Sequence, residues 1–329
     1  MTSPDTPLDT LLPRLDQLRS ALAQAVVGQG EVVEQLLIGL LAGGHCLLEG
    51  APGLGKTLLV RSLGQALELQ FRRVQFTPDL MPSDILGTEL LEEDHGTGHR
   101  SFRFQKGPVF TNLLLADELN RTPPKTQAAL LEAMQERTVS YAGTTWQLPA
   151  PFFVLATQNP IEQAGTYPLP EAQLDRFLLH VRVDYPSETE ERDILAQTTG
   201  SHAGVVPQVM DAGAVLALQA AVREVHVSAD LLTWITRLVR ASRPGDGALA
   251  EVNTWIKWGA GPRAGQSLVL AAKARAILQG RFAATRQDVA ALAAPVMRHR
   301  LLLSFAAEAE QKSTDDVIAM LLRAVPFPA

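Results

Sequence analysis

Residues 47–60 read LLEGAPGLGKTLLV, an apolar run that breaks around three glycines and a lysine and then resumes. Gly50, Gly55, Lys56 and Thr57 fit G-x-x-x-x-G-K-[ST], with Leu47 and Leu48 before them and a helix-compatible run from Leu58 after them. That spacing predicts a phosphate-binding loop. Gly50, Gly53 and Gly55, with Pro52 and Leu54 among them, let backbone N–H groups turn inward around phosphate oxygens with no Cβ in the way. The helix that follows adds the positive end of its dipole. In such a loop Lys56 reaches the β- and γ-phosphates of a nucleotide and Thr57 a magnesium ion.

A phosphate loop serves many chemistries, and the segments after it narrow the choice. Residues 112–121, NLLLADELNR, read as a buried-type strand ending in Asp117 and Glu118. An aspartate there can hold the Thr57-bound magnesium through water, and the adjacent glutamate can orient a water for in-line attack. Another apolar segment, FFVLATQNP, ends in Asn159, which puts a neutral amide at the carboxyl edge of a sheet, where ligands of open α/β folds collect. Alone it reads as an Asn-Pro turn; beside the other two it is a candidate γ-phosphate sensor. Arg176 in LPEAQLDRFLLHV stands near the end of a short helix, where a surface ion pair with Asp175 or Glu171 is the ordinary role. Pro262 and Arg263 open a long helix, GAGPRAGQSLVLAAKARA. A cation in a helix's first turn opposes the macrodipole by tenths of a kcal/mol to about 1, so Arg263 is better explained if it faces an anion.

These residues need a scaffold that presents strand ends side by side. HCLLEG, RRVQFT, NLLLADE, FFVLATQN and LLHVRVD are short apolar segments alternating with helical ones after an amphipathic N-terminal helix. The alternation predicts an α/β domain, a parallel sheet with helices on both faces, over residues 1–185. Two hairpins interrupt it: one around DHGTGHRSFRFQKGPVF with alternating Phe102 and Phe104, the other RTVSYAGTTWQLPAPF with Ala142 and Gly143 at the bend. At YPSETEERDILAQ a proline break, a serine cap and a run of acids start a helix, and residues 186–329 read as a second, helical domain. Its exception is a long connection over residues 241–266.

Composition bounds the rest. A chain of 329 residues with 46% hydrophobic and 19% charged residues reads as about two ordinary globular domains. A net charge of -6 gives no general electrostatic grip on nucleic acid. The single cysteine, Cys46, excludes an internal disulfide and reads as a small buried hydrophobe. With no signal-type or membrane-spanning apolar stretch, the expected location is cytoplasmic. Asp94, His95 and His99 read as the solvated tip of a Gly-rich loop ahead of a metal site. Trp255 and Trp258, three apart, read as packing or subunit contact ahead of base stacking.

Taken together, GAPGLGKT, LLLADELNRTPPKTQAALLEAMQE, ATQNPIEQAGTYPLPEAQLDRF and GAGPRAGQSLVLAAKARA resemble the MoxR-type AAA+ ATPases over about residues 20 to 305. The resemblance implies a P-loop α/β domain followed by a small helical lid, assembled as a ring, usually a hexamer, with ATP and Mg2+ as cofactors. It implies that VVGQ, Val26 to Gln29 and so Val27 and Gly28, lines an adenine pocket. Lys56 and Thr57 match the Walker A loop, Asp117 and Glu118 the Walker B pair, Asn159 sensor 1, Arg176 the arginine finger that completes a neighbour's site, and Arg263 sensor 2. The hairpins match the helix-2 insert and presensor-1 hairpin, which often face the ring's pore or its client. Leu119 stands where isoleucine is more usual, with no catalytic group lost. The family implies a chaperone that matures metalloenzymes or protein complexes, often with a von Willebrand factor A partner. Two other readings remain open at this point: a nucleotide-gated scaffold, which would not need Glu118, Asn159 and Arg176, and a DNA-acting motor, which would show salt-sensitive stimulation by DNA.

Overall fold

The computed structural model describes residues 8–26, 28–51, 53–93, 100–159, 165–198 and 206–328. Its strands are β1 (Cys46–Gly50), β2 (Phe71–Gln75), β3 (Gly87–Glu93), β4 (Arg100–Lys106), β5 (Leu113–Asp117), β6 (Thr138–Tyr141), β7 (Thr144–Gln147), β8 (Phe153–Gln158), β9 (Leu179–Val183), β10 (Ile256–Trp258) and β11 (Leu302–Leu303). Helices α1 (Leu8–Ala25), α2 (Gly30–Leu41), α3 (Lys56–Ala66), α4 (Pro82–Leu86), α5 (Pro124–Glu136) and α6 (Glu171–Leu174) accompany the sheet. Then follow α7 (Glu188–Thr198), α8 (Ala212–Glu224), α9 (Ala229–Ala241), α10 (Ala250–Trp255), α11 (Pro262–Leu278), α12 (Arg286–Met297), α13 (Phe305–Ala309) and α14 (Thr314–Ala324).

All five apolar segments singled out in the sequence form one parallel sheet in the order β2-β5-β8-β1-β9. Side-chain alternation divides it between two cores. Cys46 and Leu48 of β1 face one cluster, which also takes Leu113 and Leu115 of β5 and Leu155 of β8. Leu47, Leu114, Val154 and Ala156 face the other. The central strands are therefore apolar throughout, as a sheet covered on both faces requires. The first cluster gathers Leu11, Leu15, Leu18 and Leu22 of α1 and runs on into Leu218, Trp234, Leu268, Val289 and Leu321 of the helical part.

Both hairpins form. In β6–β7 the bend at Ala142 and Gly143 has φ of 47° and 79°, the paired left-handed conformations of a type I′ turn. In β3–β4, Leu91 pairs with Phe102 and Glu89 with Phe104, which sets both phenylalanines on one face. The bend at 94–99, with Asp94, His95 and His99, lies outside the described residues. The two hairpins hold each other: Phe104 stacks on Trp146 with ring centroids 5.3 Å apart, and Lys106 Nζ sits 5.5 Å from the Trp146 centroid.

The stretch read as a long connection contains structure. Residues 250–255 form α10, and β10 pairs antiparallel with β11 about forty positions later. Gly and Pro on both sides hid these short elements, and a three-residue strand whose partner is distant carries no local periodicity. Trp255 is tied down, its Nε1 donating to Glu310 Oε2 at 2.9 Å, whereas Trp258 is 73% exposed, so the pair does not share one environment. Among the described residues no helix is long and apolar enough to cross a membrane.

Candidate functional site

The C-terminal ends of β1, β5 and β8 converge on a cleft of about 400 Å3 lined by Gly53, Leu54, Gly55, Lys56, Thr57, Asp117, Glu118 and Asn159, with Arg73 and Gln75 from β2. The loop residues owe this to backbone conformation. Gly53 and Gly55 have φ of 83° and 72°, where a Cβ is strained, and Gly55 in that state caps α3. Gly50 has a different task. A Cβ there would lie 2.6 Å from the Val183 carbonyl oxygen, so its glycine serves the close approach of β9 to β1. Its own carbonyl accepts from Lys56 Nζ at 2.7 Å, which holds the lysine across the loop. Burial lowers the Lys56 pKa, and Asp117 and Glu118 oppose that shift.

The two acids are held by a lattice of polar contacts. Thr157 Oγ1 donates to Asp117 Oδ1 at 2.6 Å and accepts from the Glu118 backbone N–H at 2.9 Å. Glu118 is left-handed, φ 58° and ψ 49°, a conformation that costs a non-glycine residue about 1–3 kcal/mol and here turns its carboxylate off the strand into the cleft. Gln75 Nε2 donates to Glu118 Oε2 at 2.6 Å, and Arg121 Nη1 lies 2.9 Å from the same oxygen. Arg73 pairs with Asp117 Oδ2 at 2.6 Å. Sequence reasoning passed over Thr157, Arg73 and Gln75. Thr157 had a signal, a hydroxyl two positions before Asn159 at the end of an apolar strand. Arg73 and Gln75 could have been found from the alternation in RRVQF, which puts both on the same face of a strand.

Arg176 and Arg263 lie elsewhere. They line a separate cavity of about 190 Å3 between sheet domain and lid, with His45, Asp175, Ser267 and Arg300 among its other walls. Asp175 does form an ion pair, but with Arg300 Nε at 2.7 Å and with Arg263 Nη1 at 3.4 Å. The anion facing Arg263 is thus the carboxylate beside Arg176. Arg300, another residue missed, is almost fully buried; it donates to the carbonyls of Phe177 at 2.7 Å and of Val296, and to Ser267 Oγ at 3.2 Å. Nothing local in RHRLLL marks it, because Asp175 and Phe177 lie over a hundred positions away.

Of the remaining expected residues, Gly28 has φ 77° and a Cβ there would run into Glu190 of α7 at 2.9 Å, so α7 closes over that segment. Gln29 Nε2 donates to the Leu54 carbonyl at 2.6 Å and ties it to the phosphate loop. Leu58 is 48% exposed on α3. Val27 and Pro52 lie outside the described residues.

Comparison with known proteins agrees with this architecture. Residues 45–179 match the ATPase family associated with various cellular activities (AAA), and residues 249–321 match an AAA lid domain. Over 308 residues, covering 92% of this chain and 79% of the relative, the sequence is 44% identical to chaperone MoxR1 of Mycobacterium tuberculosis. The chain is a member of the MoxR family of AAA+ ATPases. Two further relatives match along nearly their whole length: the uncharacterized protein YeaC of Bacillus subtilis at 39% identity, covering 97% of each chain, and protein MoxR of Paracoccus denitrificans at 35%, covering 96% and 97%. A crystal structure from Cytophaga hutchinsonii superposes with a TM-score of 0.90 at 40% identity, covering 98% of this chain and 97% of that one. The AAA ATPase family implies a bound nucleotide, usually with magnesium, and the donors of this cleft suit both. Thr57 and Asp117 offer hard oxygens, the type that magnesium takes together with phosphates and water.

Proposed function

We propose that this protein hydrolyses ATP as a ring-forming chaperone in which each subunit's site is finished by its neighbour. The observation that carries the reading is the separation of charges. Lys56, Asp117, Glu118 and Asn159 share one cleft, whereas Arg176 and Arg263 share another with no lining residue in common. Arg176, mounted in the other cavity, is read as serving the cleft of a neighbouring copy. The shared cavity extends this to Arg263, which acts in trans beside Arg176.

Within the cleft, Lys56 and the loop amides bind the β- and γ-phosphates, and Val27 and Gly28 border the adenine. Thr57 and Asp117 would hold Mg2+, which would supply positive charge against the phosphates during transfer. Glu118 orients and polarises the attacking water, and Asn159 aligns it against the γ-phosphate. Because the finger meets the phosphate only across a closed interface, ATP binds the closed interface more tightly, and by linkage ATP favours assembly. A hexameric ring, a von Willebrand factor A partner and a client complex or metalloenzyme complete the proposal, on the strength of the family resemblance; the cytoplasm is its proposed location. The two parts of the chain, 1–185 and 186–329, are proposed as catalytic domain and lid.

The test mixes two inactive variants. Arg176→Ala and Lys56→Ala should each abolish steady-state hydrolysis, while a mixture shown to co-assemble recovers a fraction of it, because some interfaces pair an intact finger with an intact loop. Mixtures that co-assemble and stay inactive would rule out delivery in trans.

A further inference from the structure

Asp117 is occupied at both oxygens before any nucleotide arrives. Thr157 donates to Oδ1 at 2.6 Å; Arg73 donates to Oδ2 from Nε at 3.0 Å and from Nη2 at 2.6 Å. The threonine contact is internal to neighbouring strands and orients the carboxylate. The arginine contact is of another kind. Arg73 stands on the edge strand β2, its side chain is 47% exposed against 13% for Asp117, and it reaches inward to the oxygen that faces the cleft. A single-charged guanidinium on a long stem therefore sits on the carboxylate that the proposed function gives to magnesium.

Charge counting indicates what this arrangement does. Lys56 and Arg73 carry two positive charges against two on Asp117 and Glu118, so the charges lining the cleft balance. Without Arg73 the lining would carry a formal -1, and Asp117 Oδ2 would lose the partner that competes with a free divalent cation. With Arg73 that cation meets a fixed positive charge and an occupied ligand. A triphosphate changes the balance, because its oxygens offer the guanidinium an alternative anion in the same cleft, and planar guanidinium suits phosphate as well as carboxylate.

We propose that Arg73 is a tethered cation guarding the magnesium position. It denies Asp117 to free metal and gives it up when metal arrives with nucleotide, pairing then with phosphate oxygens. The idea rests on the nucleotide reading of the cleft. Its signature is a pair of effects with opposite sign: removing Arg73 tightens binding of metal alone and weakens binding of metal with nucleotide. A strut that merely joined β2 to β5 would move both in one direction.

The experiment uses the full-length chain. Nucleotide-free protein is titrated with Mn2+ followed by electron paramagnetic resonance, for wild type, Arg73→Gln and Arg73→Gln with Asp117→Asn. Arg73→Gln should bind Mn2+ about two- to fivefold more tightly, the scale of releasing one partly exposed ion pair, and the added Asp117→Asn should abolish the gain. The same proteins are titrated with a fluorescent ATP analogue in Mg2+, where Arg73→Gln should bind severalfold more weakly. Arg73→Lys, which keeps the charge and loses the fork, should fall between on both axes, and it carries the test if Arg73→Gln does not fold. Unchanged Mn2+ affinity, or weakening on both axes, overturns the proposal. Wild type that fails to bind the analogue while the Mn2+ shift appears overturns the nucleotide reading and leaves the guard of Asp117 standing.

Discussion

Two aspartates in this molecule are each clasped by arginine, and they differ in what surrounds the clasp. At Asp117 the arginine side chain is 47% exposed; at Asp175 the Arg300 side chain is 3% exposed and also spends its donors on buried carbonyls. Exposed ion pairs are worth about 0–1 kcal/mol and exchange readily, whereas breaking a buried one leaves an uncompensated charge. The first clasp can open for a ligand. The second fixes the segment that ends in Arg176 against the lid. The cleft is thus adjustable chemistry, and the arginine cavity a rigid mount for the groups that the proposed function assigns to another subunit.

The largest effect that would sharpen this contrast lies in the cleft. Glu118→Gln should lower turnover by about 10²–10⁴-fold, the usual worth of a positioned general base, and retain nucleotide binding because shape and position survive. Lys56→Ala should lose nucleotide affinity itself. Measuring kcat beside the Kd of a fluorescent ATP analogue checks the division, and equal loss of affinity in both variants would break it.

Next comes stability. Arg300→Met should destabilise the fold by about 3–5 kcal/mol, because the buried carbonyls of Phe177 and Val296 both lose their donor, while Arg73→Gln should cost under about 1 kcal/mol. Urea melts of the two variants check this; similar losses would erase the distinction between the clasps.

The smallest effect concerns pH at the rigid mount. Val154 N–H donates to His45 Nδ1 at 3.0 Å, so the ring hydrogen is assigned to Nε2, which donates to the Met134 carbonyl at 3.1 Å. A second ring proton would face an N–H. Burial lowers the His45 pKa from 6.5 to about 4, with the Met134 carbonyl opposing the shift and Arg137 adding to it. The unfolded chain therefore takes up this proton first. Stability is full above about pH 6.5 and declines as pH falls toward 4, by up to about 3 kcal/mol at 1.36 kcal/mol per unit. Thermal melts across that window should slope in wild type and flatten in His45→Gln.

These contrasts follow what was legible in the sequence. The five sheet strands, both hairpins and the phosphate loop announce themselves because each is written in consecutive residues: apolar runs, an Ala-Gly bend, a glycine-lysine spacing. Thr157 and Gln75 are one step removed, since their roles depend on which strands lie side by side. Arg300 is illegible, because its meaning arises only when the lid brings it against Asp175, 125 positions away. Gly50 shows the converse. It fits the phosphate motif, yet contact with Val183 alone would demand a glycine there.

The apolar cluster beneath the sheet continues without a break into α8, α9, α11, α12 and α14. A lid that swung freely would have to peel that layer apart, at about 25 cal/mol for every Å2 bared. In mechanical terms the subunit is a stiff lever: bending between the sheet and the arm on which Arg263 is mounted carries the cost of baring that layer.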